Sequence, residues 1–161
     1  MQFLSWLHFS DLHFGMERQE WWWPTFREQL YKDLSILHDQ AGPWDIVLLS
    51  GDLTQAGHQN EFEKLNSALD SLWDHFRSLG STPQLISVPG NHDLTRPPSD
   101  SPVVKALQLW EKDEDIRKLF WSSNSNEYRE LICKCFENYS AWTKNSTLPK
   151  PHMSISGFLP G

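Results

Sequence analysis

Cysteine is scarce in this chain, and what there is excludes two classes of small protein. Cys133 and Cys135 are too few for a disulfide framework and too close for a zinc pair. Two positions apart in a helical pattern their side chains diverge, so both are expected to be reduced thiols. Positive charge is also thin: 14 Lys and Arg stand against 21 Asp and Glu, a net charge of −7. That balance disfavours binding to a nucleic-acid backbone or an acidic membrane, because neither would release counterions to such a surface. No apolar run approaches the ~20 residues of a membrane helix. Met1-Gln2-Phe3-Leu4-Ser5 lacks the basic region and apolar core of a signal peptide, so the expected setting is cytoplasmic, with no membrane partner. Glycine never gathers into a G-x-G-x-x-G series, which removes the main argument for a nucleotide-binding domain without metal. Neither internal repeats nor low-complexity tracts are visible. At 161 residues the chain is long enough for one domain with a core and short for two.

What is present is a threefold pattern of apolar runs that each end in polar ligands. Leu4 to Ser10 leads into Asp11-Leu12-His13, Ile46 to Ser50 into Gly51-Asp52, and Leu85 to Val88 into Pro89-Gly90-Asn91-His92-Asp93. Side chains two apart in an extended segment point the same way, so Asp11 and His13 can reach one ion together. Gly51, ahead of Asp52, lets the backbone approach an ion closely. In open α/β sheets, ligands bind outside the carboxyl ends of parallel strands. If the three runs are neighbouring strands, Asp11, His13, Asp52, Asn91 and His92 meet along one edge.

Helical stripes separate the runs. Thr25 with Glu28 reads as a capping box before Phe26, Leu30, Leu34 and Leu37, and Gly42-Pro43 stops that helix. Asn60 with Glu63 repeats the pattern before Phe62, Leu65, Leu69, Leu72, Phe76 and Leu79, up to Gly80. Strand, helix, strand, helix, strand implies a parallel sheet with right-handed crossovers, and the branched run Ile46-Val47-Leu48-Leu49 suggests burial on both faces. Residues 1–95 are therefore expected to form a βαβαβ core. Ser101-Pro102 starts a helical excursion over 101–143 that could wall the site, and 144–161 reads as a loop. Trp21-Trp22-Trp23, among nine tryptophans, cannot all point inward from one element, and a packed loop over the core is expected there.

His8-Phe9-Ser10-Asp11-Leu12-His13, Gly51-Asp52-Leu53-Thr54 and Pro89-Gly90-Asn91-His92-Asp93 together resemble the first three signature blocks of the calcineurin-like metallophosphoesterases. The resemblance covers residues 3 to about 93. It implies an α/β fold, here the parallel half of a two-sheet sandwich with flanking helices. It also implies two divalent ions, Mn, Fe or Zn, that activate a hydroxide for in-line attack on a phosphoester substrate. By position, Asp11 and His13 would hold the first metal, Asp52 would bridge both, and Asn91 would bind the second. His92 would stand beside the phosphate, with Asp93 orienting its imidazole.

The family pattern continues with a lone His and a Gly-His-x-His block, all metal ligands, and neither is here. The last histidine, His152 in Pro151-His152-Met153, is expected at the surface. His38, His58 and His75 fall outside the blocks, and His8 is expected to be packed or to support a ligand. The chain thus reads as an amino-terminal portion of one phosphoesterase domain, with further segments after Gly161, and as marginal or self-associating alone. A non-catalytic interaction scaffold that retains the fold is the alternative expectation.

Overall fold

The computed structural model describes residues 4–122 and 126–151. Three strands, β1 (Trp6–Phe9), β2 (Ile46–Ser50) and β3 (Gln84–Val88), form a parallel sheet in the order β1-β2-β3. Trp6 pairs with Ile46 and Ile46 with Gln84, so the three carboxyl ends finish level. The crossovers are α1 (Gln19–Ala41) and α2 (Gln59–Ser78). With the strands in sequential order both crossovers step the same way, and a common hand puts both helices on one face. The core follows: Val47, Leu49 and Leu85 gather with Leu34 of α1 and with Phe62, Leu65, Leu69, Leu72, Trp73 and Phe76 of α2.

The other face is not covered to the same degree. Trp6 and Val88 are exposed, and Ile46, Leu48 and Ile86 only half-buried. The expected burial of β2 on both faces is corrected accordingly: Val47 and Leu49 have no exposed surface, but their neighbours face away from the helices.

Both crossover helices begin earlier than their sequence signals suggest. Helix α1 starts at Gln19 and carries Pro24 inside it, so the three tryptophans lie on its first turns and not in a loop. Trp23 packs edge-on against Phe14, with ring centroids 4.9 Å apart, while Trp21 is 86% exposed. That aromatic contact outweighs the local preference of Thr25 and Glu28. In α2 the cap is His58 with Glu61, two residues before the expected pair, because the Glu61 carboxylate accepts the main-chain N–H groups of His58 and Ala56 at 3.0 and 2.9 Å.

Beyond β3 come α3 (Pro102–Leu107), α4 (Glu114–Ser122), α5 (Glu127–Cys135) and α6 (Glu137–Asn145). Asn126 caps α5 by accepting from Tyr128 and Arg129 N–H. Within the helical excursion, the apolar residues from Tyr128 to Trp142 fall on two helices that part at Phe136. Tyr139 and Trp142 of α6 enter the core beside Phe62. After α6, Leu148 is buried, and the Pro149 carbonyl accepts from Leu85 N–H at 2.7 Å, occupying one bonding position on the outer edge of β3. His152 lies outside the described residues. Cys133 is exposed and Cys135 buried, both free. No helix among the described residues is long and apolar enough to cross a membrane.

Candidate metal centre

Main-chain pairing between the first two motif segments runs on past the strand ends. Asp11 N–H donates to Gly51 O, His13 N–H to Asp52 O and Phe14 N–H to Leu53 O, at 3.1, 2.9 and 2.9 Å. This extension locks the Asp-x-His segment to the Gly-Asp segment residue by residue. It also forces three non-glycine residues into the left-handed region: Asp11, His13 and Asp52 have φ of 58, 46 and 52°. Such conformations cost about 1–3 kcal/mol each and gather at functional sites, and Asp and His tolerate them better than most residues.

The result is a cluster in which Asp11, His13 and Asp52 each present a ligand atom, all within 4.8 Å of one another. Two ligands on opposite sides of an ion with ~2.2 Å bonds stand about 4.4 Å apart, so separations of this order suit a shared cation. His13 Nε2 lies 3.9 Å from Asp11 Oδ1. Among the described residues neither carboxylate is paired with a lysine or arginine, and His13 Nδ1 is buried without a hydrogen-bond partner. Two unneutralised carboxylates beside an imidazole repel each other unless a cation joins them. The donor set therefore fits a divalent metal.

The third motif closes over this cluster. A Cβ on Gly90 would stand 2.2 Å from Asp52 Oδ1, and one on Gly51 would stand 2.9 Å from the Gly90 Cα. Only glycine at both positions lets the two turns touch. In that contact His92 N–H donates to Asp52 Oδ1 at 2.9 Å, and the His92 ring meets His13 edge-on, with centroids 4.8 Å apart. Asn91 is exposed on the same turn.

Asp93 behaves differently from the position it would take by resemblance. It has no exposed surface, and its oxygens accept from Leu53 N, Thr54 N, Thr54 Oγ1 and Gly90 N at 2.8 to 3.1 Å. The His92 imidazole is held instead by the Gln55 carbonyl, 2.8 Å from Nδ1. A carbonyl can only accept, so Nδ1 carries the proton and Nε2 is the free nitrogen. The expectation that Asp93 orients the imidazole is corrected: three of its four bonds tie the second motif turn to the third, and the fourth closes the third turn on itself.

Gln55 had no signal in the sequence, because its contribution is a main-chain oxygen. Thr54 stood inside a recognised block, and its hydroxyl is one of the donors that saturate Asp93. His8 is exposed on the open face, with Nε2 2.5 Å from Ser50 Oγ, and is not packed in the core. His38 packs on Trp44, and His75 stacks on Tyr31 at 4.4 Å, both in the helical layer.

No protein of curated function matches the chain significantly. The sequence profile of the calcineurin-like phosphoesterases does match, over residues 4–156, well past the three motif blocks. A match spanning nearly the whole chain establishes that the chain belongs to the calcineurin-like phosphoesterase family, and Asp11, His13 and Asp52 converge at the ends of its parallel sheet.

Proposed function

We propose that this chain provides the metal ligands of a phosphoester hydrolase. The observation that carries this reading is the convergence of Asp11, His13 and Asp52 beside the His92 ring. Asp11 and His13 would hold one divalent ion, Asp52 would serve this ion and a second, and Asn91 would supply a ligand to the second. Mn, Fe and Zn all suit carboxylate, imidazole and amide oxygen. When bound, such ions neutralise phosphate charge and make a water nucleophilic near neutral pH.

The chain's own residues do the remaining work. The Gln55 carbonyl holds one proton on His92 Nδ1, so that Nε2 can take a second proton from solvent and, from the imidazolium, donate it to the departing oxygen. Because His92 N–H also holds Asp52 Oδ1, one residue fixes the orientation of the bridging carboxylate and carries the acid. The substrate is a phosphoester. The net charge of −7 disfavours duplex nucleic acid, which needs a basic track, and small phosphomonoesters, cyclic nucleotides and phosphoproteins are the substrate classes we favour.

Titration of the chain with Mn by calorimetry tests the centre: Asp52→Asn should lower affinity at both ions, and unchanged binding at both would overturn the shared site. Hydrolysis of a chromogenic phosphodiester tests the reaction. Metal binding without turnover there would favour the interaction scaffold, whose supporting observation is the exposed aromatic surface of Trp21, Trp22 and Phe26.

A further inference from the structure

Beneath the metal turns lies a buried amide that belongs to none of the three motifs. Gln19, in the first turn of α1, is 5% exposed. Its Oε1 accepts from Gly15 N–H at 2.9 Å, and its Nε2 donates to the Leu12 carbonyl at 3.1 Å. One side chain therefore satisfies the main chain on both sides of His13. Helix α1 makes no comparable use of its cap residue, since Arg18 gives no side-chain bond there. Across the same segment Gly15 rests on the buried Glu61 side chain, where a Cβ would come within 2.4 Å of Oε1. The segment of residues 12–15 is thus gripped by α1 and backed by α2.

The geometry points to Gln19 as a positioning residue for the metal centre, one that holds His13 in its ligand conformation. His13 sits at φ 46°, a conformation that persists only where the surroundings over-determine it. Its own N–H is tied to Asp52 O, but the flanking Leu12 carbonyl and Gly15 N–H would be left without these partners if Gln19 were apolar. Both groups are partly buried, and main-chain groups withdrawn from water seldom stay unpaired. The segment would turn to find water or a new partner, and the His13 imidazole would move with it. Outer-shell partners that hold a ligand in this way are typically worth 10–100-fold in metal affinity.

This inference rests on the proposed metal centre, and the test separates the two. Mn affinity is measured by calorimetry for the wild-type chain, Gln19→Met, Asp52→Asn and Leu69→Ala, with the His13 and His92 ring resonances recorded in the metal-free protein. Gln19→Met keeps the volume and removes both bonds. It should weaken Mn binding at least about tenfold and shift both ring signals. Leu69→Ala hollows the core away from the site and should change stability alone. Equal affinity in wild type and Gln19→Met, or a loss no larger than that of Leu69→Ala, overturns the positioning role. Equal affinity in wild type and Asp52→Asn, or no Mn binding in the wild type, overturns the metal centre and this inference with it. If Gln19→Met does not fold, Gln19→Glu decides: it keeps the acceptor for Gly15 N–H and sets an oxygen against the Leu12 carbonyl, so wild-type affinity in that variant would overturn the role.

Discussion

The turns at the carboxyl ends of the strands are built in two layers that use the same residue types in opposite ways. The outer layer, Asp11, His13, Asp52 and Asn91, is at least partly open to solvent and strained at three of its four positions. The inner layer, Asp93, Glu61 and Gln19, is buried, and each member is tied to main-chain N–H groups. A carboxylate saturated by donors has no lone pair to spare for an ion; one left underbonded and strained has little else to do. The count of partners, and not the residue type, separates scaffold from ligand here.

Removing the inner carboxylate should break the comparison most. Asp93→Ala leaves Leu53, Thr54 and Gly90 N–H buried without an acceptor, and is expected to cost about 3–5 kcal/mol. Urea unfolding would read it, and a loss under 1 kcal/mol would mean that the turns hold together without this residue. A second test reaches the inner layer through pH. Tyr139 has no exposed surface and bonds Ser87 Oγ at 2.9 Å. Burial, with a smaller push from the Asp93 carboxylate, moves its hydroxyl up to about 12. The unfolded chain releases that proton near the ordinary value of 10, so the folded state holds more protons between the two. Stability should be full below pH 10 and fall by up to roughly 2–3 kcal/mol as pH rises towards 12. Tyr139→Phe should flatten that decline in unfolding experiments across the range; an unchanged slope would reassign it to other groups.

The smallest stability effect belongs to the outer layer. Asp11→Asn keeps a residue that tolerates positive φ at an exposed position, so stability should stay within ~0.5 kcal/mol. Mn affinity should meanwhile drop at least about tenfold. A large stability loss with unchanged affinity would put Asp11 in the inner layer.

The outer layer was legible in the sequence and the inner one was not, for a physical reason. Asp11, His13, Asp52, Asn91 and His92 announce themselves by following apolar runs with strand character, and a parallel sheet is all that is needed to collect them. Gln19 and Glu61 act from helices that start earlier than their signals suggest: Trp23 packing on Phe14 is a tertiary event that local signals do not contain, and Glu61 wins over Glu63 as the capping carboxylate because it also accepts from Ala56 N–H. Gln55 acts through a carbonyl that every residue possesses. Asp93 was found by its motif, but only the arrangement of its donors shows that it serves the neighbouring turn and not its own imidazole.

The Gly57 carbonyl, two residues from the oxygen that holds His92, accepts from Thr95 Oγ1 and from Asn138 Nδ2, at 3.1 and 2.8 Å, while Thr95 N–H bonds the Cys135 carbonyl. During synthesis, the ribosome releases all three signature blocks well before Asn138. A nascent chain can pair its strands and assemble the ligands early, yet the clasp beneath His92 closes only once the late helices have folded back, a long-range step that is intrinsically slow. The surroundings of His92 are thus completed last.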